Sequence, residues 1–475
     1  MIHETEQRSR PFLVAGILIA FLIVWLGFQV RTGLLTNTDE LNTAERSREM
    51  LLLGRTAVHY NFHASFAKPP LQYWLTSSTL PRFSNRELAV RMWPAVYGAL
   101  TAMGLALLAF YVDPKRPWLV PLSIGILISD PLFLSETVSG LLDTGLTLFT
   151  TAAILFAQLA RRRPIYWLAV GVACVLGSLQ KIPLIFLVWL IIICVRACSR
   201  SERGSLRSGR LVVGFVLALI AAMVWPLLQI WKHGAPPMSA FSFNEASFLT
   251  GPSRLGARTY FEIPYRLSIV WICGSLALLA PAFLLFWRRK KFNAAVEEMS
   301  ILALAITALA IVFNFRSVRY IMPIIPCLCL LLALVVHNIC AQRRFAPLVV
   351  AVAVALLIAE SFVAAQLKID HRRRNASDQQ QIAEKLGELQ KAGESMVLVR
   401  SDEGPVLYDL FYLFYANLRS AVDERSVEGL RQNSPPSPAI GVCRAQDFPV
   451  VQEKYPSAVI KLRRGEFICW QATKA

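Results

Sequence analysis

The feature that most constrains this chain is a series of apolar blocks, each close to 20 residues long. That is the length a helix needs to cross the hydrocarbon core of a bilayer. The blocks fall at about 11–30, 88–111, 118–134, 141–160, 165–179, 182–197, 211–231, 266–287, 299–315, 318–339 and 346–366. Such runs lack the period-2 or period-3.6 stripes of soluble strands and helices. The 475 residues are 55% hydrophobic and 17% charged. A soluble chain averages roughly 25% charge. Composition therefore excludes soluble multidomain, disordered and disulfide-scaffold classes. The expected fold class is an all-α polytopic membrane protein with eleven transmembrane helices.

The net charge of +18 would raise nucleic acid as a partner in a soluble protein. Here topology accounts for most of it. One alternating set of loops carries seventeen Lys and Arg, including Arg8 and Arg10, Lys115 and Arg116, Arg161 to Arg163, Arg288 to Lys291, and Arg343 and Arg344. In the other set there are none in 135–140, Lys181 near 180, three in 232–265 and Arg316. The positive-inside rule puts the first set in the cytoplasm. The N-terminus is then cytoplasmic, and the loop 31–87, the loop 232–265 and the tail after 366 are exterior. The first block follows a basic start and runs longer than a signal-peptide core, with no small-residue cleavage site behind it. It is expected to stay as an anchor.

The exterior loop 31–87 is too long for a connector. Residues 42–53 predict a short amphipathic helix, with Asn42 and Glu45 in a capping pattern and Gly54 as the stop. Lys68-Pro69-Pro70 opens a second helix, LQYWLTSSTL, suited to lie at the membrane interface. In the tail, strands are expected at 396–400, 439–443 and 458–462. The organisation expected is a membrane domain, 1–366, and a small exterior α/β domain, 367–475. Seven of the nine cysteines lie in or beside apolar blocks, where they act as small hydrophobes. Cys443 and Cys469 lie in the tail and can pair in an oxidising compartment. Asn375-Ala376-Ser377 is a glycosylation sequon, meaningful only in a glycosylating compartment.

No P-loop, dinucleotide fingerprint, HExxH or GxSxG is present, so attention falls on charges near the exterior surface. Asp39 and Glu40 follow the first block closely. They are candidates for base chemistry or cation binding; the plainer alternative is that Asp39 caps the next helix. Asp143 opens the fourth block, and a carboxylate in an apolar run is usually functional or paired. Glu136 lies seven residues earlier and would share its face on a continuous helix. Lys68, Lys181, Arg316 and Arg319 stand at exterior span ends, against the positive-inside trend. Singly each can snorkel to lipid headgroups; together they suit a phosphate. His59 and His63 have the i, i+4 spacing of helical metal ligands, without an evident third ligand.

These residues resemble the GT-C membrane glycosyltransferases, in the branch of the dolichyl-phosphate-mannose protein mannosyltransferases and the lipid A aminoarabinose transferases. The resemblance is carried by Asp39-Glu40, the segment AERSREM at 44–50, and Lys68-Pro69-Pro70-Leu71-Gln72-Tyr73-Trp74-Leu75, in that order. Leu142-Asp143-Thr144, Lys181-Ile182-Pro183 and Arg319-Tyr320 through Pro326 are similar to later family segments. Ala67 stands where many members have Glu, and Ile182 where they have Gly. The resemblance covers residues 11–340. It implies a GT-C-like fold and an inverting transfer of a sugar from a polyprenyl-phosphate donor to a lipid, glycan or protein acceptor at the exterior face. Asp39, with Glu40 and Asp143, would be catalytic. Lys68, Lys181, Arg316, Arg319 and Tyr320 would hold the lipid phosphate. Members differ in metal use, so a divalent cation stays open. The location implied is a bacterial inner membrane. The rival class is a transporter or flippase, which predicts internal repeats, broken helices and ionisable groups at the bilayer midplane.

Overall fold

The computed structural model describes residues 2–181, 184–199, 202–234, 294–312, 318–340, 346–372, 376–391, 393–400, 409–433 and 437–473. In chain order the first elements are α1 (Ile2–Gln29), α2 (Thr38–Leu53), β1 (His59–Tyr60), β2 (His63–Ala64), α3 (Leu71–Thr79), α4 (Arg86–Val112), α5 (Leu119–Ile128) and α6 (Pro131–Thr137). Then come α7 (Asp143–Ala160), α8 (Tyr166–Gln180), α9 (Leu184–Cys198), α10 (Arg203–Leu206) and α11 (Gly209–His233). Later helices are named by their residues. The chain divides into two compact units, one of 1–31, 66–72 and 91–369, the other of 32–65, 73–90 and 370–475. The last boundary falls at 369/370, and most of the loop 31–87 shares a unit with the tail.

The first unit is helical. Among the described residues six helices are long and apolar enough to cross a membrane: Ser9–Gln29, Arg86–Val112, Asp143–Ala160, Gly209–His233, Arg319–Asn338 and Leu348–Leu367. A seventh arises if α5 and α6 count as one span, although they meet at 72°. The block 118–134 is thus not one straight helix. Asp130 accepts the Leu132 N–H at 2.9 Å, starting a new helix, and Pro131 occupies its first turn. The helices α8 and α9 are apolar but only 15 residues each. The block 266–287 lies outside the described residues.

Small residues set the helix approach. A Cβ on Gly171 of α8 would stand 2.9 Å from the Gly214 carbonyl oxygen of α11, and one on Gly214 would stand 2.9 Å from that of Trp167. Close backbone approach through glycine is how apolar helices gain packing in lipid. Beside this contact Trp167 stacks on Trp189 at 6.2 Å between ring centroids. The end of α7 away from Asp143 carries a buried ion network. Glu298, on the helix Ala294–Val312, accepts from Arg196 Nε at 2.6 Å, Arg161 at 2.9 Å and Gln158 at 2.8 Å.

The second unit is built on a five-stranded sheet in the order β4-β3-β5-β7-β6. Its strands are β3 (Ser395–Arg400), β4 (Val422–Ser426), β5 (Ala439–Arg444), β6 (Ala458–Arg464) and β7 (Phe467–Ala472). The pairs β4/β3 and β3/β5 are parallel; β5/β7 and β7/β6 are antiparallel. Alternation along β3 sends Met396 and Leu398 to one side and Val397 and Val399 to the other. The first side packs on the helices Ser377–Leu389 and Asp409–Tyr415 and on Leu41 and Ala44 of α2. That shared core is why the loop joins the tail.

The register also settles the cysteine pair. Cys469 lies opposite Val442, and Cys443 opposite Ile468. Cross-strand partners share a face, so the two sulfurs point to opposite faces of the sheet. Each sits in a different core cluster as a free thiol, and the expected disulfide is not formed.

The loop helices also differ from expectation. The cap of α2 is Asn37, not Asn42, its side chain accepting the Asp39 N–H at 2.9 Å. Gly54 ends the helix at φ 110°, as a residue without Cβ can. α3 is not an interfacial helix with one wet face: Gln72, Tyr73, Thr76 and Ser77 are all buried. Trp74 is anchored by its indole N–H on the Arg55 carbonyl at 2.7 Å.

Candidate active site

In the first unit four charged side chains converge. Asp143 stands in the first turn of α7, and Lys181 caps the C-terminal end of α8. Both are buried, at 3% and 5% exposure. A lone buried charge would be costly, and here each answers the other: Lys181 Nζ donates to Asp143 Oδ1. On the far side Arg319 Nε lies 3.8 Å from Asp143 Oδ2. Arg319 and Tyr320 come from the 3-10 turn Val318–Ile324, and the Tyr320 ring lies 4.2 Å beneath the Lys181 ammonium. Lys68 and Arg319 are both near enough to repel Lys181 electrostatically. Among the described residues three cations thus gather at this carboxylate.

Two glutamines that sequence reasoning passed over hold this cluster together. Gln180 Nε2 donates to the Gln72 Oε1 and to the Leu142 carbonyl, each at 3.1 Å. Gln72 lies in the first turn of α3, four residues after Lys68, and Leu142 precedes Asp143. Gly145 leaves the space Gln180 occupies, since a Cβ there would collide with its side chain. The signal in the sequence was only adjacency: each glutamine lies within four residues of a candidate cation.

Glu136 does not join Asp143 on one helix face. It belongs to α6, and the chain breaks between Val138 and Leu142 before α7 begins. Its carbonyl instead accepts from Thr144 Oγ1 at 3.2 Å. Arg316 and most of the loop 232–265 lie outside the described residues, as does Asn375 of the sequon.

In the second unit Asp39 and Glu40 occupy the first turn of α2. Consecutive helical residues do not face each other, so they are not a carboxylate pair. Glu40 is buried at 2% exposure, while Asp39 is half-buried. Two turns on, Arg46 shares the Asp39 face. Its guanidinium lies 5.6 Å from the Tyr60 ring and 5.8 Å from that of Tyr73. Burial pushes the Tyr73 phenol up, Arg46 pulls it back, and the Asp39 charge adds to the rise. Arg46 and Tyr73 were the missed members; the seven-residue spacing from Asp39 to Arg46 was their legible trace.

His59 and His63 are not on a helix. They sit in a two-stranded hairpin that pairs His59 with Ala64 and Tyr60 with His63. That register points the two imidazoles to opposite faces, which removes the basis for a shared metal. Among the described residues no group of three or more His, Cys, Asp or Glu could hold a metal ion.

A second carboxylate in α2 is structural and carries a pH signature. Arg48 grips Glu45 through Nε at 2.7 Å and donates to the Leu418 carbonyl at 2.8 Å. Burial first, then the adjoining Glu45, raise Glu49 from 4.5 to about 8. The unfolded chain therefore releases this proton while the folded one keeps it. Stability is expected to fall as pH rises from 4.5 to about 8 and to level beyond. In Glu49→Gln this part of the pH dependence of thermal unfolding should vanish; an unchanged profile would assign it to other groups.

The fold has counterparts among solved structures. The structure aligns with the crystal structure of ArnT from Cupriavidus metallidurans bound to undecaprenyl phosphate at TM-score 0.72, over 96% of this chain and 97% of that one, at 17% identity. It aligns with the oligosaccharyltransferase AglB from Archaeoglobus fulgidus at TM-score 0.59, 12% identity, over 88% and 65%. The fold is shared with these two structures. In sequence, the family described as dolichyl-phosphate-mannose-protein mannosyltransferase matches residues 12–229. An undecaprenyl phosphate-alpha-4-amino-4-deoxy-L-arabinose arabinosyl transferase of Pseudomonas savastanoi is 30% identical over 47% of this chain. One from Pseudomonas fluorescens is 26% identical over 70%. The matches span 42% and 61% of those relatives' own lengths. The chain is thus similar in sequence to the protein mannosyltransferase family and to aminoarabinose transferases over part of its length.

Proposed function

We propose that this protein is an inverting glycosyltransferase. It takes a sugar from a polyprenyl-phosphate donor and passes it to a lipid, glycan or protein acceptor at the exterior, periplasmic face of a bacterial inner membrane. The observation that carries this reading is the gathering of three cations around Asp143. Lys68, Lys181 and Arg319 stand where α7 begins, at the end opposite the basic Arg161 to Arg163 turn. They would bind the donor's phosphate and stabilise the charge that grows on it as the glycosidic bond breaks. Arg316 would add to them. Asp143 then acts by holding Lys181 and Arg319 in place, with Tyr320 beneath the ammonium, rather than as a base.

Asp39 is the acceptor-side group in this reading. A hydroxyl acceptor would give it a proton as the oxygen attacks the anomeric carbon. A phosphate acceptor arrives deprotonated, and Asp39 would then orient it. Glu40, buried beside it, supports the helix start. The full topology proposed is eleven spans in residues 1–366, a cytoplasmic N-terminus, and 367–475 as an exterior α/β domain. A metal requirement is left to experiment.

Purified protein given polyprenyl-phosphate sugars should release polyprenyl phosphate. A flippase or transporter would move the lipid without releasing it. In Arg319→Ala and Lys68→Ala, the donor KM should rise about tenfold or more, as losing a charge-assisted contact implies. Unchanged donor kinetics in both would return these cations to snorkelling.

A further inference from the structure

The first unit also carries a cavity away from the charged cluster. An apolar cavity of about 590 Å³ opens between α1, α5, the helix Ile325–Cys340 and the helix Ala346–Arg372. Val14 and Leu18 line it from α1, Trp118 from the N-cap of α5 and Leu122 from α5 itself. At its floor α5 and the helix Ala346–Arg372 nearly touch, where a Cβ on Gly125 would lie 3.0 Å from Val354. Its lining on α5 runs from Trp118 to Gly125, or roughly 10 Å of helix. That is less than half of the ~30 Å core, so the cavity serves a single leaflet.

The mouth is polar and cationic. His337 lies in the lining, and Trp118, half exposed, sits at the rim as interfacial tryptophans do. Arg116 lies beside His337, held by Asn338 Oδ1 at 2.6 Å and Asp113 at 3.2 Å. Lys115 is its neighbour in the turn. Arg10 precedes Val14 by four residues and so continues the cavity-lining face of α1. Among the described residues Arg10, Lys115 and Arg116 are the cations here, with Asp113 as the acid paired to Arg116. Arg162 over the Tyr111 ring at 5.6 Å brings the turn after α4 to the same end as the basic turn after α7.

We propose that this cavity binds an anionic diacyl phospholipid of the cytoplasmic leaflet. One acyl chain fills the apolar slot, and the phosphate headgroup rests on Lys115, Arg116 and Arg10. Charge complementarity selects an anionic headgroup, and the one-leaflet depth selects an acyl chain over a long polyprenyl chain. The site is separate from the proposed donor site, which lies at the opposite end of α7, and does not depend on the transfer reaction.

The test is native mass spectrometry of the whole protein with phosphatidylglycerol or phosphatidylethanolamine. Phosphatidylglycerol should be retained preferentially. Ala351→Trp, which fills the slot from an exposed position, should lower its binding about tenfold. Arg10→Gln with Lys115→Gln should erase the headgroup preference; this pair decides the matter if the tryptophan variant fails to fold. Equal retention of both lipids by the wild type, or undiminished phosphatidylglycerol binding in folded Ala351→Trp, would overturn the proposal. Displacement of the bound lipid by undecaprenyl phosphate would overturn the diacyl assignment.

Discussion

Asp39→Asn should lower sugar transfer about 10²–10⁴-fold, the range a positioned base contributes. The substitution keeps shape and polarity and removes only the capacity to take a proton. It should leave the helix intact, because α2 is capped by Asn37 and not by Asp39. The surrounding groups are also retained: Arg46 still spans Tyr60 and Tyr73. Equal amounts of membrane-inserted variant and wild type, confirmed by gel filtration, make the comparison fair. The kinetic pattern separates two chemistries. A drop in kcat with an unchanged acceptor KM marks a base acting in the transition state. A raised acceptor KM with kcat preserved marks a group that orients an acceptor already ionised. Full activity in both parameters would remove Asp39 from the mechanism.

What the sequence disclosed and what it hid follow from the range of the forces involved. A span is a local property, since about 20 apolar residues suffice to recognise it. Hence the long helices from Ser9–Gln29 to Leu348–Leu367 were legible. The break at Asp130-Pro131 was legible in kind, as a cap followed by a proline, but was passed over inside an apolar run. The cations Lys68, Lys181 and Arg319 stood out because each violated a charge rule. Their assembly around Asp143 did not, because it depends on which span ends meet. The neutral partners were harder still. Gln72 and Gln180 break no rule of composition, and only the fold brings them within 3.1 Å. The histidines show the converse failure. An i, i+4 spacing has meaning only on a helix, and the hairpin His59–Ala64 gives it the opposite sense. The cysteines fail likewise, because strand register decides which face each sulfur takes.

Glu298→Ala should destabilise the first unit by about 3–5 kcal/mol, the cost of breaking a buried ion pair from one side. Glu298 alone answers two guanidiniums: Arg196 through Nε and a second nitrogen at 2.6 and 3.1 Å, and Arg161 at 2.9 Å. Arg161 keeps a second carboxylate, Glu202, at 2.7 Å. Among the described residues Arg196 has no second carboxylate; it is fully buried, with the Ala157 carbonyl at 2.7 Å and the face of Trp167 as further contacts. Removing Glu298 therefore strands the Arg196 charge in an apolar interior. Arg196→Met alone leaves Glu298 with Arg161 and should cost less. Restoring neutrality in Arg196→Met with Glu298→Leu should recover much of the loss. Thermal unfolding in detergent at one scan rate ranks the variants without assuming reversibility. The expected order of midpoints is wild type, then the double variant, then Glu298→Ala. If the double variant unfolds no later than Glu298→Ala, the cost is lost packing, not the unpaired guanidinium. A rescue would mean that this end of the bundle uses its buried charges for specificity, joining α7, α9 and the helix Ala294–Val312 in one register.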